Sequence, residues 1–278
     1  MRLNTKRFAS LERIEAHALA GSLPLPPPRA PLPALVLWPT LRQLTETTRL
    51  AEILKSRAIG DLPFETAGLC HAFIDYYGEV RSDLLPFIPQ DAVDILEVGC
   101  GRGATGAYLQ EQLGCRVTGV ELNPEVARDA ARRLHGVLVG DLQALEIPGR
   151  FDVVLGSEIV EHLPAADQFL ARVRSLLRPR GVAVFSIPNV GHWSVVDDLL
   201  AGRWDYLPIG LLCFTHFRFF TEKTLDDWLF RAGFSSWQIT RQKTSVPPRF
   251  EDLERARLGF EVDLESLGTQ GFYVVARG

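Results

Sequence analysis

Cysteine is scarce in this chain: Cys70, Cys100, Cys115 and Cys213 are the only four in 278 residues, and no two are spaced as CxxC. A disulfide framework or a zinc knuckle needs cysteines at closer spacing, so neither is indicated. Long apolar runs are also missing. No segment approaches the roughly 18 apolar residues that a membrane-spanning helix requires. The basic amino-terminal stretch soon meets Glu12, Arg13 and Glu15, which interrupt any apolar region of a secretion signal. A reducing, cytoplasmic protein without a membrane span is therefore expected. Excess positive charge is absent too. The net charge is -4, and of the 30 basic residues only four are lysine. Residues 1–33 carry +3, residues 34–90 carry -2 and residues 91–278 carry -5. An acidic main body argues against a nucleic-acid groove across it, because such binding rests on a positive surface.

What is present is globular in composition, with 46% hydrophobic and 23% charged residues over a length that buries a real core. Six of the 18 prolines fall between Pro24 and Pro33, so residues 1–39 read as an extended, proline-rich arm. Residues 40–90 read as a helical preface. Leu41, Leu44, Ala51 and Leu54 recur at near-helical spacing, as do Leu69, Ala72, Phe73 and Tyr76 in a second helix. These helices pack on the main domain, cover a site or form a homodimer surface.

From residue 91 the texture changes. Apolar β-branched runs (residues 93–98, 115–122, 136–141, 151–157 and 181–188) alternate with helical stretches at about 104–113, 124–134 and 165–177. Such alternation builds a doubly wound α/β fold. The expectation is a mostly parallel, seven-stranded, Rossmann-like sheet over residues 91–278. A helix at about 224–232 and a strand at 236–243 follow, and the last strand, at 271–277, is expected to insert antiparallel.

The sharpest motif is Glu97-Val98-Gly99-Cys100-Gly101-Arg102-Gly103, placed after a buried strand and before a helix. In open α/β sheets ligands bind beyond the carboxyl ends of the strands. Residues 101–106 also spell GxGxxG, with Glu121 twenty residues beyond Gly101, so an NAD(P)-dependent oxidoreductase stands as an alternative. Glu97 separates the two readings. Its carboxylate repels a pyrophosphate and attracts a cofactor bearing an ammonium or a sulfonium. Glu121 ends the second strand, where it can accept hydrogen bonds from ribose hydroxyls, and Asp141 and Leu142 close the third, where they can bracket an adenine edge.

These residues resemble the class I S-adenosylmethionine-dependent methyltransferases, and in particular small-molecule O-methyltransferases of the ubiquinone-biosynthesis type. The resemblance rests on ILEVGCGRG at 95–103, Glu121, GDL at 140–142, FDVVLGSEIVEHL at 151–163 and LLRPRGVAVFSIPN at 176–189. It implies that Glu97, Gly99, Gly101 and Gly103 line the methionine part of S-adenosyl-L-methionine. It places Glu121 and Leu122 at the ribose, Asp141 and Leu142 at adenine, and Ser157 near the methionine end, with Tyr77 or Arg81 folding over the methionine carboxylate. Cys100 reads as a small buried spacer.

The acceptor side follows the fourth and fifth strands. If a helical turn begins there, Glu158, Glu161 and His162 share a face and could hold a divalent metal such as Mg²⁺. The segment is similar to the ExxEH of ubiquinone-biosynthesis O-methyltransferases and of small-RNA 3′-terminal methyltransferases, which keeps RNA methylation as an alternative. His162, His192 and His216 are the candidates for general base or acceptor contact; for each, hydrogen-bonded packing is the competing reading. Arg218 is read as binding an acidic acceptor group or pairing with a carboxylate, and Thr221 or Thr224 as a helix cap. The expected activity is methyl transfer to a hydroxyl of a sugar, glycan precursor or secondary metabolite. A non-catalytic cofactor-binding partner subunit is the remaining alternative.

Overall fold

The structure is a computed structural model, and it describes residues 77–204, 210–213, 215–255 and 262–278. The proline-rich arm and both preface helices up to residue 76 lie outside the described residues. The chain divides into two compact units, residues 1–76 with Ser194–His216, and Tyr77–Trp193 with Phe217–Gly278.

The second unit holds one seven-stranded sheet, built from β1 (Asp94–Val98), β2 (Arg116–Glu121), β3 (Gly136–Val139), β4 (Phe151–Ser157), β5 (Leu177–Pro188), β6 (Ser236–Lys243) and β7 (Thr269–Arg277). The strand order is β3-β2-β1-β4-β5-β7-β6. The first five strands pair in parallel, whereas β7 runs antiparallel between β5 and β6. The expected antiparallel insertion of the last strand is thus what the sheet shows. Strand order reverses between β1 and β4, which opens a crevice at their carboxyl ends.

Period-two alternation sends neighbouring residues to opposite faces. Leu96, Val98, Val154, Phe185 and Val274 point to one core, together with Phe169 and Leu170 of α3 (Ala166–Ser175) and Leu225 and Leu229 of α5 (Glu222–Arg231). Ile95, Val117, Val153, Leu155, Val182 and Val184 point to the other, against Leu109 of α1 (Ala104–Leu113) and Leu84 of a 3-10 turn (Ser82–Phe87). Both faces are covered, which is why the central strands read as nearly continuous apolar runs. By the same alternation Glu97 and Ser186 lie on the second face, near the carboxyl ends of their strands.

Local chemistry sets the helix ends. Asn123 caps α2 (Pro124–Ala130) by accepting from the Glu125 and Val126 amides, and Pro124 occupies the first turn, where no amide donor is needed. The helix stops at Ala130, four residues earlier than the pattern suggested, and residues 131–134 form a turn. Thr221 caps α5 as expected, accepting from the Thr224 amide. Two further helices follow β6: α6 (Pro248–Arg255) and α7 (Leu264–Leu267).

Of the first unit, residues 194–204, 210–213, 215 and 216 are described. They include most of α4 (Trp193–Leu200), and the buried Asp198 accepts from Arg203 Nε at 3.1 Å.

Candidate active site

The loop after β1 is held by its own backbone. The Gly99 and Cys100 amides both donate to the Val120 carbonyl of β2. Gly99, Gly101 and Gly103 all have positive φ (70°, 53° and 74°), a region that side chains disfavour. At Gly101 a Cβ would also lie 2.7 Å from the Tyr77 carbonyl oxygen. This glycine is therefore required by the protein's own packing, as well as by any ligand that approaches the loop. Cys100 is buried, and burial together with the charges of Glu97 and Glu121 pushes its thiol pKa up, so it is an inert spacer.

Two carboxylates stand at the carboxyl ends of β1 and β2. Glu97 is 6% exposed, and its Oε2 has no hydrogen-bond partner. Burial raises its pKa to about 8, the nearby Glu121 adds to the rise, and a hydrogen bond with the Gly106 backbone opposes it. An orphaned carboxylate oxygen in a buried site calls for a positive group. Glu121 is equally buried but differently placed: its Oε2 accepts from the Gly101 amide and its Oε1 from the Asn123 amide, each at 2.9 Å. One carboxylate thereby locks the glycine loop to the end of β2 and keeps acceptor capacity on both oxygens. Next to it Leu122 is 71% exposed, an apolar surface at the sheet edge. Beyond β3, Asp141 is exposed and accepts from the Gln143 amide, and Leu142 is buried.

The segment from Tyr77 to Asp83 crosses the glycine loop. The Tyr77 carbonyl accepts from the Arg102 amide at 2.9 Å, and the Arg81 amide donates to Thr105 Oγ1 at 3.0 Å. The Tyr77 phenol is hydrogen-bonded to the Asn123 side chain; burial and the Glu121 charge raise its pKa. The Arg81 side chain reaches the ends of β4 and β5, where Nη1 donates to Ser157 Oγ at 2.6 Å and to Ser186 Oγ at 3.2 Å. Its other donors hold Asp83, which in turn accepts from Tyr273 Oη at 2.6 Å. Burial opposes the Arg81 charge, but the hydrogen bonds to Asp83 and the charge of Glu158 overcome it and raise the pKa. Tyr273, partly buried and bonded to Asp83, is pushed up to about 12.

After β4 the expected helical turn is replaced by a tighter one. Glu158 takes a positive φ of 50°, and a 3-10 turn covers only Val160–His162. Glu158 therefore precedes the turn instead of sharing a helical face with Glu161 and His162. The two glutamates meet all the same. Glu161 is fully buried, and burial followed by the Glu158 charge raises its pKa well above the usual range. Arg81 Nη1 lies 3.9 Å from Glu158 Oε1. The Glu161 carbonyl accepts from the Phe217 and Arg218 amides, which anchors the loop before α5.

His192 and His216 are the remaining histidine candidates. His192 is buried, its Nε2 lies 3.0 Å from Thr244 Oγ1, and burial lowers its pKa to about 4. His216 belongs to the first unit, where its Nδ1 lies 3.2 Å from the Leu211 carbonyl oxygen. Arg218 donates to the carbonyls of Pro164 and Phe217, and among the described residues it pairs with no carboxylate. Three contributors went unrecognised in the sequence: Thr105, Ser186 and the Asp83–Tyr273 pair. Ser186 alone left a trace, as the one polar residue on the face shared by Val182 and Val184.

An open α/β sheet with acid-tipped β1 and β2 beside its reversal point has the layout of the doubly wound class, whose members bind ligands at that point. Comparison with known proteins narrows this further. Residues 48–239, more than half of the chain, match the family described as methyltransferase domain, and the chain belongs to that family as a class I S-adenosylmethionine-dependent methyltransferase. This membership decides against the nicotinamide alternative. The ubiquinone biosynthesis O-methyltransferase of Roseobacter denitrificans is 35% identical over 170 residues, covering 56% of this chain and 65% of that protein. The enzyme of the same name from Colwellia psychrerythraea is 34% identical over 121 residues, covering 40% and 48%. The chain thus spans between about half and just under two thirds of the length of these relatives. A SAM-dependent methyltransferase structure from Archaeoglobus fulgidus superposes with a TM-score of 0.53 at 19% identity, covering 71% of this chain and 92% of that one, which shows the shared fold. No helix among the described residues is long and apolar enough to cross a membrane.

Proposed function

We propose that this protein transfers a methyl group from S-adenosyl-L-methionine to a hydroxyl oxygen of a small molecule, a sugar, glycan precursor or secondary metabolite such as a phenol. The observation that carries the reading is Glu97, a buried carboxylate with an orphaned oxygen beside the glycine loop, which fits a cationic amino acid moiety. Two of the similar proteins are named O-methyltransferases, which supports oxygen as the acceptor atom. When bound, the cofactor supplies an electrophilic methyl group on a positively charged sulfur.

The residues divide the remaining work. Glu97, Gly99, Gly101 and Gly103 hold the methionine portion; Glu121 and Leu122 hold the ribose; Asp141 and Leu142 hold the adenine. Tyr77 and Arg81 close over this site, with Arg81 resting on Ser157. Alignment of acceptor and donor is the chief contribution, in favourable intramolecular cases ~7–11 kcal/mol of the barrier. A hydroxyl acceptor must also lose its proton. His162, on the turn after β4, is the candidate base. His192 is a weak base with its pKa near 4, so we assign it to positioning the loop after β5 through Thr244. We give His216 no catalytic assignment.

Glu158 and Glu161, with His162, offer ligands for a divalent ion such as Mg²⁺, and the fully buried Glu161 carboxyl beside Glu158 favours this second reading. Incubating the protein and deuteromethyl cofactor with small-molecule extracts, with and without EDTA, tests both readings by mass spectrometry. Label in an oxygen-linked methyl of a small molecule supports the main proposal. Cofactor binding without label transfer favours the partner-subunit reading, and label in RNA overturns the small-molecule reading. Full activity in EDTA removes the metal.

A further inference from the structure

A hydroxyl stands on β5 where the alternation calls for an apolar side chain. Ser186 is fully buried on the face it shares with Val182 and Val184, and it pairs in register with Ser157 of β4. Glu97 of β1 pairs with Leu155, two residues before Ser157, so the acid and both serines lie on one face of the sheet. Ser186 lies too deep to touch a ligand itself.

A hydroxyl has one proton to donate and two lone pairs to fill. Ser186 Oγ accepts from Arg81 Nη1 and from the Glu158 amide, each at 3.2 Å, so both lone pairs are taken. Its own proton is left for Ser157 Oγ, 3.0 Å away. Ser157 Oγ also accepts from Arg81 Nη1, at 2.6 Å, which fills its second lone pair. The Ser157 proton therefore has no acceptor among the described residues, and this half-buried hydroxyl can only donate to a ligand. Arg81 is similarly committed. Nε and one Nη2 hydrogen hold Asp83, both Nη1 hydrogens hold the serines, and one Nη2 hydrogen is left over. Asp83 already matches the Arg81 charge and Glu158 lies 3.9 Å from it, so the direction of hydrogen bonds decides here more than net charge.

We propose that Ser186 is a positioning residue for the cofactor: with its lone pairs filled by Arg81 and Glu158, it makes the Ser157 hydroxyl an obligate donor to the carboxylate of the methionine portion. The inference rests on the methyl-transfer reading, in which Glu97 takes the ammonium borne by the same carbon.

Calorimetric titration of the full chain with S-adenosyl-L-methionine and with its decarboxylated analogue, which keeps the sulfonium and the amine, is the test. The parent should bind the analogue at least roughly tenfold more weakly, the worth of a hydrogen bond to a charged group. Ser186→Ala should weaken S-adenosyl-L-methionine roughly fivefold and leave the affinity for the analogue unchanged. Ser157→Ala should show the same selectivity, and the double variant should bind as Ser157→Ala does, since Ser186 acts through Ser157. Melting curves check both folds; Ser157 is half-buried, so its variant keeps the test open if Ser186→Ala melts early. Equal weakening of the two compounds by Ser186→Ala marks a merely structural hydroxyl and overturns the proposal. So do unchanged affinity for S-adenosyl-L-methionine, additive losses in the double variant, and a parent that binds both compounds equally. A parent that binds neither overturns the methyl-transfer reading, and the inference with it.

Discussion

Replacing Glu97 with glutamine probes the cofactor site and the fold together. Glu97 is buried without a partner for Oε2, and its pKa rises from the usual 4.5 to about 8. The folded protein therefore holds a proton that the unfolded chain releases, and it does so between pH 4.5 and 8. Its contribution to stability is fully present below pH 4.5 and is lost progressively as pH rises to about 8. At 1.36 kcal/mol per pH unit the loss reaches ~5 kcal/mol. Glutamine does not titrate, so Glu97→Gln should lack this decline. Urea unfolding of both proteins, without cofactor, from pH 4.5 to 8.5 reads the difference. The variant should gain on the parent by several kcal/mol across that range. A stability difference constant within ~0.5 kcal/mol would refute the reasoning, because it would mean that the carboxylate is ionised and satisfied in the folded state. The same burial predicts that binding a cationic cofactor near pH 7 releases a proton from Glu97. Calorimetry in buffers of different ionisation enthalpy should detect that release in the parent and lose it in the variant.

Glu121→Ala removes the acceptor of the Gly101 and Asn123 amides, so cofactor affinity should fall at least roughly tenfold, measured by equilibrium dialysis. Tyr273→Phe removes one hydrogen bond from Asp83 and loosens that end of the Arg81 anchor; KM for the cofactor should rise more than kcat falls, with a change in kcat alone counting against the latch. His192→Asn should leave the acidic limb of the pH–rate profile in place, because a histidine near pKa 4 is already neutral at working pH; loss of that limb would make His192 the base. Phe185→Ala empties a fully buried position in the larger core and should destabilise the protein by ~3–5 kcal/mol in chemical unfolding.

The fold was legible because its signals are local. Apolar runs of strand length, helical spacing between them and the glycine motif after β1 each act within a few residues, and together they dictated parallel strands joined by helices. The acid at the end of β1 and the acid at the end of β2 were legible for the same reason: strand ends are visible in the pattern, and ligands bind beyond them. The turn after β4 was not legible. Helical spacing put Glu158 on the face of Glu161 and His162, yet Glu158 adopts φ 50° and a 3-10 turn follows.

What tertiary structure alone decided is which distant groups meet, and how much water each one keeps. Arg81 joins Asp83, Ser157 and Ser186 across as many as 105 positions of sequence. His192 and Thr244, 52 positions apart, become one buried hydrogen-bonded pair. Neither meeting follows from residue type or spacing, since the first depends on β4 lying beside β5 and the second on β7 bringing β6 close to β5. The scarcities evident from composition stand: few cysteines, no spanning run and no excess of positive charge. Their meaning became local in the folded chain, where buried Cys100 spaces a loop and Glu97 and Glu121 concentrate negative charge at one end of the sheet. Sequence sets the inventory of charges, and only packing decides which of them water no longer reaches.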